Sequence, residues 1–308
     1  MPNNLVKLHF INVGKGNCTI LDLPSGRLSV IDIDDSRALS EDDKKKLEEA
    51  KAASLSNPID YILEKYPKES IFRFILSHPD MDHMSGIKTL FDKKQIFNFW
   101  DPQNNKPDPG NWKTSPYDKA DWDYYQKLKD KKIEGVTIIS PLRNETADCC
   151  WVQDGIKILS PTKGLVDQAN KEEEWNISSY ILMLECYGVK VLFGGDVSKE
   201  VWADIIEVYG KDYLKSDILL APHHGSENNI SSEILDIIKP RLVIVSVAAG
   251  VDYARDLYSQ YGRVLSTKFY GNITVTIKDN KEVTFRTQFQ NYSDNSYILN
   301  ERTSYYKE

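Results

Sequence analysis

Six consecutive residues, His78-Pro79-Asp80-Met81-Asp82-His83, crowd two imidazoles and two carboxylates onto one tight turn. Imidazole nitrogen and carboxylate oxygen are the donors that borderline and hard divalent cations accept. Without a cation the two carboxylates repel each other. A metal between them removes that repulsion and keeps the imidazoles neutral. The turn follows an apolar run, Ile71 to Leu76, broken only by Arg73, which predicts a buried strand ending at Ser77. The spacing predicts a metal site at a strand tip, against the plainer reading of a solvated turn.

Further candidate groups also lie where apolar runs end. Phe193-Gly194-Gly195-Asp196 closes a hairpin pattern, and its glycines let the backbone approach whatever Asp196 faces. The plainer role for Asp196 is a cap for the following helix, for which Ser198 competes. Pro222-His223-His224-Gly225-Ser226 follows the run Ile218 to Leu220. Neighbouring side chains of an extended segment point opposite ways, so one imidazole can bind metal while the other faces substrate or an outer shell. The chain has five histidines, and four lie on these islands. The fifth, His9, sits inside an apolar strand pattern and reads as a core residue. Gly14-Lys15-Gly16-Asn17 is a hairpin turn whose backbone N–H groups could meet an anion.

The elements that must position these groups follow from periodicity. Val6 to Val13, Cys18 to Leu23 and Arg27 to Ile33 predict strands separated by glycine turns, and Glu41 to Lys65 predicts a helix. After the metal turn come a helix at Gly86 to Phe91 and a strand at Gln95 to Trp100. Asp101 to Tyr117, rich in Pro, Asn, Asp and Gly, reads as an ordered loop or insertion, with a helix after it at Lys119 to Asp130. The region of about 101–135 is either a substrate lid or a surface excursion. Later strands are expected at Val136 to Ser140, Ile156 to Leu159, Ser179 to Cys186, Val189 to Phe193, Ile218 to Leu220, Leu242 to Val247, Ile273 to Ile277 and Val283 to Thr287. Helices are expected at Lys199 to Tyr209 and Ser232 to Ile238. The pattern predicts an α/β (α+β) domain over 1–288, with two sheets packed face to face and helices outside. Residues 289–308 form a tail with no assigned element.

Composition narrows the partners. In 308 residues the net charge is −7, which argues against a protein that coats nucleic acid but leaves a nuclease open. Lys127, Lys129, Lys131 and Lys132 mark a solvated helix face. Cys18, Cys149, Cys150 and Cys186 lack metal spacing and a disulfide framework, and no run approaches the roughly 20 apolar residues of a membrane span. The first residues lack the layout of a secretion signal. A cytoplasmic protein without membrane contact is expected.

In this order, the islands resemble the metallo-β-lactamase fold, and specifically the metallo-β-lactamase-like domain of the DNA-uptake channel protein ComEC and its free-standing relatives. The pieces that carry the resemblance are Val13 to Asn17, Ile31-Asp32, Ser77 to Gly86, Asn176 to Ser179, Gly195-Asp196, Pro222 to Ser226 and Thr267 to Val275. The resemblance implies a four-layer αββα sandwich with one or two divalent ions at its rim, zinc first and manganese second. It implies His78, Asp80, Asp196 and His223 around one ion, and Asp82, His83 and bridging Asp196 around another. Two positions depart from the family. Asn17 stands where relatives carry Asp, and Arg255 stands where a histidine would complete the second ion's shell. Asp252 could substitute there, or the second ion is weak or absent. Arg255 is suited instead to clamp an anion.

The implied reaction is hydrolysis by metal-activated water. Asp82 is expected to orient or deprotonate that water, His224 and Lys15 to steady phosphoryl oxygens, and Arg255, Ser226 and Asn17 to contact substrate. The family branch points to a DNA or RNA phosphodiester, and its occurrence in bacterial defence loci extends the expectation to an effector role. Rival readings are a small phosphodiester, lactam or thioester substrate, or a binding module acting through a protein partner. Oligomeric state is left open.

Overall fold

Alternating burial builds the first sheet. The computed structural model describes residues 4–35, 45, 52–146 and 150–289. In β1 (Leu5–Phe10), Val6, Leu8 and Phe10 point to one side and are buried against the second sheet. β2 (Thr19–Asp22) and β3 (Leu28–Ile31) continue as an antiparallel meander. From β3 the chain crosses over through helices, and the sheet turns parallel. α1 (Pro58–Lys65) precedes β4 (Ile71–Ile75), and α2 (Met81–Met84) and α3 (Ile87–Lys93) precede β5 (Ile96–Trp100). α4 (Lys119–Lys129) precedes β6 (Thr137–Ile139).

The second sheet repeats this change of direction. β7 (Ile156–Ser160), α5 (Lys163–Glu172), β8 (Ile181–Cys186) and β9 (Val189–Phe193) place three antiparallel strands together. α6 (Lys199–Tyr209), β10 (Ile218–Leu220), α7 (Ser232–Ile238), β11 (Leu242–Val245), α8 (Arg255–Tyr258) and β12 (Arg263–Ser266) then add parallel strands. After α9 (Thr267–Tyr270), β13 (Ile273–Lys278) and β14 (Val283–Thr287) return to the β1 edge. The strand orders are β14-β13-β1-β2-β3-β4-β5-β6 and β12-β11-β10-β9-β8-β7.

Three apolar layers hold these parts together. Phe10, Trp100, Leu182 and Phe193 pack between the sheets. Ile62, Leu90 and Trp122 cover the outer face of the first sheet, and Trp202, Ile205 and Leu235 cover that of the second. The result is the expected αββα sandwich. Each fully buried large apolar side chain contributes roughly 1.5–3 kcal/mol, so the strand tips project from a rigid base. In parallel pairs β3–β4 and β9–β10–β11, the C-terminal ends meet on one rim, where ligands of such sheets gather.

Within the helix expected at Glu41 to Lys65, Lys45 is helical, residues 52–57 are not, and α1 starts at Pro58. Proline disfavours helix in the residue before it, and the Asn57 side chain caps the N–H groups of Ile59 and Asp60 at 3.0 Å. Residues 41–44 and 46–51 lie outside the described residues, as does the tail from 290. Among the described residues no helix is long and apolar enough to cross a membrane.

His9 is the core residue expected. Its Nδ1 lies 3.0 Å from Thr274 Oγ1 and 2.9 Å from the Tyr61 hydroxyl, and its Nε2 lies 2.8 Å from the Tyr66 hydroxyl. Burial, assisted by Lys65 and Lys7, pushes its pKa down to about 4. The folded protein therefore holds the neutral ring. His9 contributes stability above the unfolded pKa of about 6.5, and that contribution is lost as pH falls towards 4, on the order of 3 kcal/mol. Thermal melts of wild type and His9→Gln across pH 7 to 4 should converge at acid pH. A constant gap between the two curves contradicts the assignment.

Candidate metal centre

The loop after β4 and the tips of β9 and β10 bring their polar side chains to one point. Oδ2 of Asp196, following β9, lies 3.9 Å from His78 Nε2, 3.5 Å from His83 Nε2 and 3.7 Å from His224 Nε2. Asp80 Oδ2 stands 3.7 Å from His78 Nε2, and Asp82 Oδ2 stands 3.9 Å from His224 Nε2. Tetrahedral ligand bonds of 2.0–2.2 Å set donor atoms about 3.3–3.6 Å apart, close to these separations. Two overlapping donor groups result: His78, His83 and Asp196, and Asp82, His83 and His224.

Two buried atoms test whether a cation fits. Asp196 Oδ1 and His83 Nε2 are both sealed from solvent and lack a hydrogen-bond partner. Buried polar atoms are rarely left so, and an ion between them satisfies both. The charges agree. Burial alone would raise the Asp196 carboxyl, but His83, His224 and His78 outweigh it and hold the group well below the carboxylate range. Burial opposes charge on His83, yet Asp196 and Asp32 hold its pKa well above the usual imidazole value. In the metal-free protein a proton on His83 therefore supplies the positive charge, and an arriving cation must displace it.

Neighbouring groups fix the rings. Asp32, just past β3, accepts from Ser77 N and Ser77 Oγ, both at 2.7 Å, and its Oδ2 lies 2.8 Å from His83 Nδ1. That contact leaves Nε2 of His83 facing Asp196. The loop after β3 also clamps the metal turn through Ile33 N to His83 O and Asp35 N to Ser85 O, each 2.9 Å. Behind Asp82, the Asp34 carboxyl accepts from Gly16 N at 3.1 Å, and burial together with Asp82 pushes it up to about 8.

The structure reassigns the histidine pair. Both residues adopt left-handed backbone, with φ of 47° at His223 and 54° at His224. His224 Nδ1 lies 3.1 Å from Ser246 O, which leaves the Nε2 lone pair aimed at Asp82 and Asp196. His223 and Asp80, both expected among the ligands, join neither donor group: His223 lines the adjoining cleft, and Asp80 stands beside His78 and pairs with Lys106. His224, expected to steady phosphoryl oxygens, faces the cation position. Asp82, His83, His224 and Asp196 surround the second position without help from Arg255, which is exposed at the start of α8.

A cleft of about 750 Å³ opens beside Asp82 and His224. Lys15, Ser226 and His223 line it, as do Tyr117, Glu227, Val247, Val251, Asp252 and Tyr253. Asn17 and Arg255 do not. The 101–117 segment forms part of this wall through Tyr117 and reaches the metal turn through an ion pair between Lys106 and Asp80. Sequence alone gives Asp32, Asp34, Lys106 and Tyr117 no role at the site. The run Asp32-Ile33-Asp34-Asp35 at a strand end was a signal of the same kind as the others.

Two mixed sheets with a His/Asp cluster at their shared rim match the architecture of the metallo-β-lactamase fold. The ComEC-like relationship is also found: the chain is 25% identical over 249 residues to the ComE operon protein 3 of Bacillus subtilis (strain 168), covering 80% of this chain and 29% of that protein. The chain thus spans under a third of that relative's length. No protein-family model matches it. Similar solved structures include Igni18, a metallo hydrolase from Ignicoccus hospitalis KIN4/I (TM-score 0.49, 15% identity, 89% of this chain and 99% of that one). Zn(2+)-bound PqqB from Methylobacterium extorquens is another (TM-score 0.45, 14% identity, 88% and 99%).

Proposed function

We propose that the protein is a metal-dependent hydrolase that cleaves phosphodiesters of DNA or RNA with metal-activated water. The observation that supports it most is Asp196 Oδ2 standing within 3.9 Å of three imidazole nitrogens, beside an open cleft. His78, Asp80 and Asp196 would hold one ion, and Asp82, His83, His224 and Asp196 the other. When bound, such ions lower the pKa of water from about 15.7 toward roughly 7 and neutralise charge on the phosphoryl group. Zinc and manganese both suit these donors. Asp82 borders the cleft and orients or accepts the proton of the attacking water, while Lys15 and Ser226 steady phosphoryl oxygens.

A second reading, a small phosphodiester, is favoured by the cleft's charge. Glu227 and Asp252 line it with Asp82, and among the described residues Lys15 is the one lysine or arginine in that wall. Nucleic-acid backbones are ordinarily met by several basic groups. Labelled oligonucleotides assayed beside a panel of linear and cyclic nucleotides, with zinc or manganese supplied, separate the two. In the productive assay Asp82→Ala should lose at least about 10²-fold in rate. Undiminished turnover by that variant sinks the mechanism.

A further inference from the structure

Lys106 is brought to the cluster by a firmly held backbone. Asn105 N donates to Asn170 Oδ1 at 2.9 Å, Lys106 N donates to Asn104 Oδ1 at 3.1 Å, and Lys129 Nζ donates to Asn104 O at 2.9 Å. The Lys106 ammonium pairs with Oδ1 of Asp80, the same carboxylate whose Oδ2 faces His78. The side chain is 16% exposed, and Nζ lies 4.9 Å from the centre of the Trp175 ring. This lysine is part of the site.

We propose that Lys106 is a tethered cation competing with the first metal ion for Asp80, so that the two metal positions differ in affinity and the Asp82–His83–His224 position fills first. The proposal rests on the metal-hydrolase reading above. The second position has four donor residues, none paired with a lysine or arginine among the described residues. The first has His78, His83 and Asp196, with Asp80 at its edge 3.7 Å from His78, and the charge of Asp80 is already partly neutralised by Lys106. An ion binding Asp80 meets an ammonium across one carboxylate, and with that side chain 34% exposed the repulsion is only partly screened by solvent. The opposing effect is orientation, since outer partners that hold a ligand are typically worth 10–100-fold in metal affinity. Here the backbone already holds Asp80. Its N–H donates to His78 O at 3.0 Å, and its carbonyl accepts from His83 N at 3.0 Å. Lysine also offers a flexible point charge, where a planar partner would impose geometry. Repulsion therefore decides the sign, and Trp175 offers the displaced ammonium a cation–π resting place. Lys106 acts through Asp80 and is a positioning residue.

The test is calorimetric titration of the metal-free full chain with Zn²⁺, with ion counts from native mass spectrometry. Wild type should bind two ions in two separated steps. Lys106→Met should tighten the weaker step by roughly tenfold or more, equivalent to about 1.4 kcal/mol, and leave the tighter step unchanged. Lys106→Arg, which keeps the charge, should keep the separation. Two ions of equal affinity in wild type, or a weaker step that Lys106→Met leaves unchanged or loosens, overturns the proposal alone. A wild type that binds no ion overturns the metal reading along with it.

Discussion

Asp196→Asn should strip the protein of bound metal after dialysis and cut metal-dependent hydrolysis by about 10³-fold or more, since metal-based charge stabilisation is worth several kcal/mol. The substitution keeps volume and removes charge from an oxygen that has imidazole nitrogens of both donor groups 3.5, 3.7 and 3.9 Å away. An amide can turn N–H donors toward those nitrogens, which satisfies them without recruiting a cation. The fold should survive. Asp196 and the proton on His83 are a compensating buried pair, and once the carboxylate is gone His83 can return to its neutral form. Atomic emission measures the metal, and a thermal melt of metal-free protein measures the fold. Wild-type metal content in Asp196→Asn removes the basis for the bridging role. A collapsed melt shows instead that the carboxylate is structural.

The sandwich was legible because its strands carry strong patterns. Ile273-Thr274-Val275-Thr276-Ile277 alternates buried and half-buried residues as a one-sided strand must, and Tyr187-Gly188 turns the second-sheet hairpin with φ of 53° and 74°. Less was legible where polar sequence folds by context. α5 was not expected, because Lys163 to Glu172 is mostly polar and only Val166 and Ala169 are buried. β12 was missed for a related reason: Arg263 and Val264 are half-buried, and parallel pairing with β11 defines the strand. The start of α1 could have been read correctly, since Asn57-Pro58 is a cap followed by proline.

At the site, residue types were legible and directions were not. Sequence placed Asp82, His83 and Asp196 at strand ends because ligand types there are hard to explain otherwise. It could not tell His223 from His224, because alternation holds for extended backbone and these two residues are left-handed. It could not give Lys106 a partner either. Asp80 and Lys106 are 26 positions apart, and packing of the 101–117 segment against α5 brings them together.

Gly16→Ala should be the most damaging single-methyl change near the centre. A Cβ at Gly16 would lie 1.8 Å from the Asp82 carbonyl oxygen, 2.6 Å from Asp34 Cβ and 2.9 Å from Asp34 Oδ2. The nearest atom is backbone in the metal turn, and that turn is bound to the loop after β3 by Ile33 N–His83 O and Asp35 N–Ser85 O. Gly16 is held from the other side, where its carbonyl accepts from Ser246 Oγ at 3.1 Å. Neither side can give way alone. Relief must move Lys15 out of the cleft or spread Asp82 from His224, so stability and metal binding should fall together. Overpacking against yielding side chains costs 1–3 kcal/mol, and overlap with fixed backbone should cost about 3 kcal/mol or more. Gly26→Ala is the control. A Cβ there meets nothing within 4 Å, so only its φ of 78° is penalised, at roughly 1–2 kcal/mol. Urea unfolding of both variants, each with a zinc titration, makes the comparison. If Gly16→Ala unfolds no more easily than Gly26→Ala and binds zinc as wild type does, the Gly14–Asn17 turn does not brace the metal turn.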